Sequence, residues 1–306
     1  MIQKFTLKIF LQKYSTENTC LDEIKNIRWP NGITCPSCQK ITTFYKINGR
    51  TAYSCGICRY QVFPLAGTIF EKTTTPLQFW FYAMFQMTHT RSGISAKQLE
   101  RELGVTYKTA HRMFKQIRKL MAEPSTSFSD GTIEVDETFM GGKGINRAHK
   151  WRQGIEGKEK EIILGMVKRN ESTKGKSENK KIYLKHIPNT GKWTLLNQVQ
   201  EHINPKAKVI TDEWRGYTQL YKYGYEHLSV NHRAKQYVKG TIHTQNVENF
   251  WSILKRGVYG VYRIVSKKYL QTYADEYAWR YNHRSLKENM FDQLLRQVAE
   301  VRVLKA

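Results

Sequence analysis

The chain has 306 residues, 40% of them hydrophobic, so it is long enough for about two domains with buried cores and does not read as a disordered chain. Lysine and arginine total 50 against 26 aspartates and glutamates, and this formal charge of +24 predicts a polyanionic partner, with nucleic acid the leading candidate. A membrane helix needs roughly 18 to 20 uncharged apolar residues, which the sequence lacks, and Lys8 interrupts the apolar residues 5–10, so we expect a cytoplasmic protein without a membrane span or secretory signal.

Residues 15–64 form the first recognisable unit. Cys20, Ile24 and Ile27 stand at helical i, i+4 and i+7 spacing, and the sequence WPNG at residues 29–32 ends that helix. We therefore interpret Cys20 as a buried thiol of the helix rather than as a further metal ligand.

Two CxxC pairs give this unit its strongest pattern. Cys35 pairs with Cys38 and Cys55 with Cys58, and sixteen residues separate Cys38 from Cys55. Each short spacing lets one tight turn direct two thiolates to a tetrahedral Zn²⁺, and the segment between the pairs is long enough for a hairpin. A thioredoxin-like redox pair and an apolar cysteine cluster are alternatives, but neither accounts for two evenly built turns. The sequence therefore predicts a zinc ribbon with structural Zn²⁺.

Residues 65–123 are predicted to be helical and to include a helix-turn-helix. Leu99 and Leu103 form the inner face of a short first helix, and Gly104 permits a sharp turn into the second. A plain helical hairpin is the alternative. If the module binds DNA, its second helix offers five side chains to the major groove: Tyr107, Lys108, His111, Arg112 and Lys115. The aromatic run at residues 79–87 is interpreted as core or as a subunit interface.

Residues 130–295 are predicted to form a mixed α/β sheet covered by helices, after a turn-rich linker at residues 124–127. Strands come first as a meander and then alternate with helices, and the rest of the chain is mainly helical. The predicted strands are residues 133–136, 161–167, 181–184 and 208–212, and residues 195–203 are predicted to be helical. Two lysine-rich segments, residues 144–160 and 170–180, are either solvated loops or loops that contact DNA.

Two aspartates end apolar strands of this third unit. Asp136 ends the first predicted strand and Asp212 the last, so both side chains reach a strand exit, where groups from neighbouring strands can converge. Glu248 lies in a predicted helix, and thirty-five residues separate it from Asp212. Strand-end aspartates followed by a glutamate at this spacing are typical of DDE phosphoryl-transfer enzymes, and a divalent metal is their natural partner.

Two basic side chains lie near Glu248 in sequence. Lys255 follows it by seven residues, two helical turns along the same face, so its ammonium can lie beside the same phosphodiester. His243 can approach the site, but packing against Trp251 or capping the helix are equally open interpretations.

The chain resembles the zinc-ribbon DDE transposases of bacterial insertion sequences over nearly its whole length. The motifs that carry this resemblance are RWPNG and CPSC within residues 28–38, VDETFMGGK at 135–143, TDEWRGY at 211–217, HTQNVENFWSILKRG at 243–257 and RYNHR at 280–284. The resemblance implies a ribonuclease-H-like catalytic domain in which Asp136, Asp212 and Glu248 bind Mg²⁺ or Mn²⁺. It also implies that Lys255 is an accessory base or phosphate ligand, while Asn246 is a minor alternative metal ligand.

The resemblance implies a bacterial, nucleoid-associated enzyme that nicks DNA at the ends of an insertion sequence and joins those ends to target DNA. Its partners are then double-stranded DNA and further copies of the chain, because two ends must be brought together. Two rival functions stay open at this point. One is a non-enzymatic DNA-binding regulator built on the ribbon and the helix-turn-helix, and the other is a hydrolytic nuclease of the same fold.

Overall fold

A computed structural model of the chain describes residues 5–123, 127–141, 160–169, 181–212, 214–230, 243–284 and 288–300. The chain forms two compact units, which we call the helical unit (Met1–Met121 with Lys287–Ala306) and the sheet unit (Ala122–Leu286). The domain boundaries given above stay predictions, and the compact units divide the chain differently because its last helix belongs to the helical unit. Among the described residues, no helix is long and apolar enough to cross a membrane.

The helical unit combines six helices with five short strands in its described part. Its elements are α1 (Leu7–Lys13), α2 (Glu17–Arg28), β1 (Ile33–Thr34), β2 (Ile41–Thr42), β3 (Phe44–Lys46), β4 (Tyr53–Cys55), β5 (Gln61–Val62), α3 (Leu77–His89), α4 (Ala96–Leu103), α5 (Tyr107–Met121) and α9 (Met290–Glu300). The strands form two small antiparallel sheets, β1–β2 and β3–β4–β5. Cys20 is fully buried on α2 with Leu21 and Ile24, which confirms its interpretation as a core thiol.

Aromatic side chains fill the core of the helical unit. Phe81 and Phe85 of α3 are buried, so the predicted aromatic run is core. Phe291 of α9 is fully buried among them, with its ring 6.0 Å from that of Phe81 and 5.5 Å from that of Tyr14. The helix α9 packs against α2, α3 and α5, so residues from both ends of the chain build one core.

A tight turn joins α4 to α5. Ser95 caps α4 by accepting a hydrogen bond from the Gln98 backbone, and Gly104 ends the helix in the left-handed region at φ +66°, which favours glycine. Buried side chains of both helices, including Leu99 and Met113, hold the pair together. The five side chains predicted to reach DNA lie on the outer part of α5, where His111 is half-buried and the other four are exposed: Tyr107, Lys108, Arg112 and Lys115.

The sheet unit is a mixed five-stranded sheet with helices on both faces, as the sequence predicted. Its elements are β6 (Thr132–Met140), β7 (Glu161–Lys168), β8 (Ile182–Ile187), α6 (Lys192–His202), β9 (Lys208–Asp212), β10 (Glu226–Val230), α7 (Gln245–Gly257) and α8 (Lys267–His283). The strand order is β10-β9-β6-β7-β8. The first three strands form an antiparallel meander, β9 joins β6 in parallel, and β10 joins β9 in parallel.

Alternation along the strands assigns their side chains to two cores. Ile133 and Val135 of β6 pack with α6 on one face, and Met140 packs with α7 and α8 on the other. Even-numbered residues of β6 therefore face α7. This assignment places Glu134 and Asp136 on the α7 side and Glu137 on the α6 side.

Two strand predictions need correction. The first strand does not end at Asp136 but continues to Met140, because residues 137–140 pair in antiparallel register with residues 161–164 of β7. Strand β10 was not predicted at all, since its short sequence EHLSV lies at an edge of the sheet and its apolar alternation is limited to Leu228 and Val230. The lysine-rich residues 144–159 and 170–180 lie outside the described residues.

Candidate active site

Asp136 stands in the middle of the central strand and faces α7. Its Oδ2 accepts a hydrogen bond of 2.8 Å from the indole Nε1 of Trp251, which lies one turn beyond Glu248 on α7. Opposite Asp136 in the register of β7 is Gly165. A Cβ at Gly165 would lie 2.6 Å from the Trp251 ring, so the glycine permits α7 to approach the sheet closely.

Asp212 is the last residue of β9. The parallel pairing of β6 with β9 ends at Glu134 opposite Ile210, two residues before each aspartate, and the charge of Asp212 acts on Asp136. The backbone N–H of Trp214 donates to Asp212 Oδ1 at 3.0 Å, which fixes the orientation of this carboxylate.

Glu248 lies in the first turn of α7 and is exposed. The hydroxyl of buried Thr244, one turn earlier, donates to Glu248 Oε1 at 2.7 Å. Each of the three predicted ligands thus has one carboxylate oxygen fixed by a neighbouring donor of the protein. Such outer contacts orient a carboxylate before a ligand arrives.

Electrostatics link the three carboxylates. Burial raises the pKa of Asp136 to about 6, the Trp251 hydrogen bond opposes this rise, and the nearby charges of Asp212 and Glu248 add to it. The three acidic side chains, which come from β6, β9 and α7, therefore share one electrostatic environment.

Their spacing is wider than that of a compact single-ion site. Among the described residues, the four cysteines are the set of metal-binding side chains whose ligand atoms all lie within 4.8 Å of one another. Asp136, Asp212 and Glu248 do not meet this distance criterion. Carboxylate oxygens are the donor type that Mg²⁺ and Mn²⁺ prefer. The donor chemistry of the three carboxylates therefore suits either ion.

Glu137 lies on the opposite face of β6 from Asp136. Its Oε1 accepts a hydrogen bond of 2.7 Å from the hydroxyl of buried Tyr217. Burial raises the pKa of Glu137 to about 8. The Tyr217 hydrogen bond opposes this rise, and repulsion from Asp136 and Asp212 adds to it. Glu137 is therefore largely protonated at neutral pH, unlike an ordinary glutamate.

We expect this carboxyl to make stability depend on pH. Because the pKa of Glu137 is raised in the folded state from 4.5 to about 8, its proton is held more tightly by the folded chain than by the unfolded chain. The resulting stabilisation is complete below pH 4.5 and is lost as the pH rises through about 8. The free energy of unfolding of wild type should therefore fall relative to that of Glu137→Gln over this range. Denaturant titrations at several pH values, without added divalent ions, measure the free energy of unfolding of both proteins. A difference between the two free energies that stays constant with pH would contradict the prediction.

The basic residues predicted near Glu248 occupy different positions. Lys255 is half-buried on α7, two turns beyond Glu248, and in the described part of the chain it forms no ion pair with Asp136 or Asp212. His243 precedes α7. Its Nδ1 accepts a hydrogen bond of 3.4 Å from the Gln245 backbone and lies 3.5 Å from Glu134 Oε1, and its role stays a prediction.

The sequence interpretation missed the three donors that fix the carboxylates. Trp214 follows Asp212 by two residues, Thr244 precedes Glu248 by one helical turn, and Trp251 follows Glu248 by three residues. Their proximity in sequence to a predicted ligand was the available signal. The sequence interpretation named Trp251 only in the apolar stripe of its helix and as a possible packing partner of His243, because a sequence pattern does not show where an indole N–H points.

The cysteines of the helical unit form a tight cluster. The Cys35 and Cys58 sulfurs are 3.4 Å apart, those of Cys38 and Cys55 are 3.9 Å apart, and all four lie within 4.8 Å of one another. A tetrahedral site with Zn–S bonds of about 2.3 Å has S···S edges of about 3.8 Å, so this set fits Zn²⁺. The Tyr60 backbone N–H and hydrogen bonding among the four thiols lower the pKa of Cys58, and the same thiol contacts raise that of Cys38, so the cluster releases its protons in turn rather than together.

Comparison with known proteins covers both sites. Residues 129–282 match the family described as the ISXO2-like transposase domain, and residues 15–61 match the transposase zinc-ribbon domain. A protein of Halobacterium salinarum, described as an uncharacterized protein in transposable element ISH50, is 27% identical over 278 residues, which cover 86% of this chain and 90% of that protein. An uncharacterized transposase-like protein of Haemophilus influenzae is 27% identical over 120 residues, which cover 39% of this chain and 94% of that protein.

Proposed function

The chain belongs to the ISXO2-like transposases, as its sequence resemblance indicated, and from this premise we propose that it binds the ends of an insertion sequence and catalyses metal-dependent nicking and strand transfer. The proposal is supported by the family match and by the contact between β6 and α7, in which Trp251, one turn beyond Glu248, donates to Asp136. The meander β6–β7–β8, extended by two parallel strands on the other side of β6, supports a ribonuclease-H-like fold for the sheet unit.

The carboxylates hold Mg²⁺ or Mn²⁺ in this proposal. When bound, the cations activate the attacking oxygen and stabilise the leaving oxygen. The contribution of the chain is to present three carboxylates that Trp251, Trp214 and Thr244 have already oriented, so that little reorganisation accompanies the reaction. Lys255 contributes positive charge close to the phosphodiester.

Two phosphoryl transfers give the products. First, water attacks the phosphorus at the end of the element, a new P–O bond forms, and the bond to the 3′ oxygen breaks, which leaves a 3′ hydroxyl. That hydroxyl then attacks a phosphodiester of target DNA, and one P–O bond replaces another. Joining exchanges one phosphodiester bond for another, so it needs no external source of energy. Positioning of the reactants and electrostatic stabilisation of the transition state supply the catalysis.

The helical unit is proposed to recognise the ends of the element. In α5, Lys108, Arg112 and Lys115 are exposed on the helix that follows the tight turn at Gly104, the arrangement expected for the second helix of a helix-turn-helix. The formal charge of +24 supports binding to the DNA backbone. Joining needs two ends at once, so we expect a dimer or larger assembly on DNA.

We expect the triple substitution of Lys108, Arg112 and Lys115 with alanine to weaken binding to end DNA and to reduce its salt dependence. Each lost phosphate contact lowers the slope of log K against log salt by roughly 0.9. Fluorescence anisotropy over a range of salt concentrations measures both effects. A control variant with alanine at Lys13 and Lys25, which form ion pairs outside α4 and α5, should change the slope much less. Equal slopes for wild type and the α5 variant would contradict the assignment.

One experiment separates the proposed function from its rivals. The full chain, loaded with zinc, is incubated with Mg²⁺, DNA that carries both ends of its element, and a target plasmid. A transposase gives joined products, a hydrolytic nuclease gives nicks without joining, and a regulator gives bound but intact DNA. Complexes resolved by size should contain at least two copies of the chain, and joining by a single copy would contradict the expected assembly.

A further inference from the structure

A second acidic side chain of β6 lies on the same face as Asp136, two residues before it. Glu134 has no exposed surface, although it stands between the apolar residues Ile133 and Val135 of the core. A carboxylate this deeply buried is costly unless charged or polar groups satisfy it. None of the roles assigned so far uses it.

Among the described residues, four hydrogen-bond donors contact this carboxylate, and the His243 Nδ1 lies 3.5 Å from its Oε1. The backbone N–H groups of Asn246 and Val247 donate to Glu134 Oε2 at 2.8 and 3.1 Å. The Asn246 side-chain amide donates to Oε1 at 2.6 Å, and so does Arg169 Nε at 2.6 Å. Arg169 also donates to the backbone carbonyl of His243, so the same group joins β6, the end of β7 and the residues that lead into α7.

These contacts make Glu134 the cap of α7. The first backbone N–H groups of a helix have no partner within the helix, and a side chain at the N-cap position usually accepts from them. Here Thr244, at that position, does not cap the helix with its side chain, because its hydroxyl is turned to Glu248. The Glu134 carboxylate, which comes from the sheet, takes the place of the Thr244 side chain as the cap. The negative charge of Glu134 is also favoured at the positive end of the helix dipole.

The position of this cap connects it with the proposed metal site. Glu134 lies two residues from Asp136 on one strand, and Val247, which it binds, is next to Glu248. A second contact between the same elements, from Trp251 to Asp136, lies one turn further along α7. The cap and this contact together fix the separation between the strand that carries Asp136 and the helix turn that carries Glu248.

We propose that Glu134, paired with Arg169, is a positioning residue that sets Glu248 against Asp136 for divalent-metal binding. The inference rests on the proposed function, since it assigns a role relative to the proposed ligands. Glu134 does not itself bind the metal, because its two oxygens are engaged by the donors of α7 and by Arg169. A cap with a purely structural role would stabilise the fold and leave the metal affinity of the folded protein unchanged.

Isothermal titration calorimetry distinguishes these roles. The zinc-loaded full chain is titrated with Mn²⁺ at a temperature well below the unfolding temperature of each variant. Glu134→Gln keeps the size of the side chain but turns an amide towards N–H donors, so it should weaken Mn²⁺ binding by about tenfold, the lower end of the usual effect of losing an outer-shell partner. The matched control is Glu161→Gln on β7, which removes a carboxylate paired with His186 and Lys267 and should keep the wild-type affinity.

Hydrogen exchange gives a readout that does not depend on metal or activity. In Glu134→Gln, the amides of Asn246 and Val247 should exchange faster, while amides in the centre of the sheet keep their wild-type rates. Glu134→Asp retains the charge but withdraws the carboxylate by one methylene, so its Mn²⁺ affinity should lie between those of wild type and Glu134→Gln. It also provides the test if Glu134→Gln does not fold.

The outcomes separate this inference from the proposed function. If Glu248→Gln and wild type bind Mn²⁺ equally, or wild type does not bind it, the proposed metal site is wrong. If Glu248→Gln loses affinity while folded Glu134→Gln and Glu134→Asp bind as wild type does, the metal site stands and the positioning role of Glu134 is overturned.

Discussion

Replacement of Asp136, Asp212 or Glu248 by its amide is expected to abolish both nicking and joining in Mg²⁺ and to leave the fold and end binding intact. Each substitution removes a negative oxygen ligand and hardly changes the size of the side chain. Loss of a direct ligand should exceed the 10- to 100-fold effect that is usual for an outer-shell partner, so we expect rates to fall by more than about 100-fold. Gel assays of cleavage and joining on paired-end DNA measure both steps.

Glu137→Gln is the matched control for Asp136→Asn. Glu137 is adjacent in sequence, but it faces Tyr217, and its pKa of about 8 keeps it largely neutral, so an amide is a close substitute. Lys255→Ala should lower the rate without reducing metal affinity, and Lys255→Arg should restore only part of the rate, because a planar guanidinium is not a compact ammonium. Wild-type rates in the three ligand variants, or full activity of wild type in excess EDTA, would show that these carboxylates are not the active site.

The double substitution Cys35→Ser with Cys58→Ser is expected to eliminate bound zinc and to unfold the ribbon. The strands of the ribbon are only two or three residues long, so they bury little apolar surface and depend on the metal. Structural zinc supplies apparent binding energies of about 10 to 16 kcal/mol in small domains, which is more than such short strands provide. Elemental analysis should give about one zinc per wild-type chain and none in the variant.

Cys20→Ala provides the control for the zinc experiment. Cys20 is as buried as Cys35 and Cys55, but it lies on α2 outside the four-cysteine cluster. Its replacement should leave the zinc content unchanged, whatever it does to stability. Zinc content in the double variant equal to that of wild type would rule out the assigned ligands.

The features that local pattern determines were predicted well. Strand β9 has the predicted bounds, 208–212, because a short apolar run flanked by polar residues specifies both ends. The CxxC spacing likewise predicted the four-cysteine cluster, because only two short turns must come together to form it. The end of β6 was missed, since residues 137–140 are held by pairing with β7, which is distant in sequence and does not show in the periodicity of β6.

The candidate site illustrates the same limit. The candidate ligands were named from predicted strand ends and helix spacing, because acidic residues are conspicuous in a basic chain. The structure places Asp136 within β6 rather than at its end. Glu134 was passed over as part of a strand, although a carboxylate between Ile133 and Val135 was a visible irregularity. Its partners Asn246 and Val247 are more than a hundred residues away, so no local pattern could identify it as the cap of α7.

The shared core of the helical unit has a consequence for synthesis on the ribosome. Phe291 of α9 packs with Tyr14 and Phe81, yet it is translated after the whole sheet unit. A nascent chain that has emerged as far as Met121 still lacks this helix, so its aromatic core stays incomplete until α9 has been translated. Prematurely terminated chains are therefore expected to be short-lived, since they expose aromatic surface that α9 would cover.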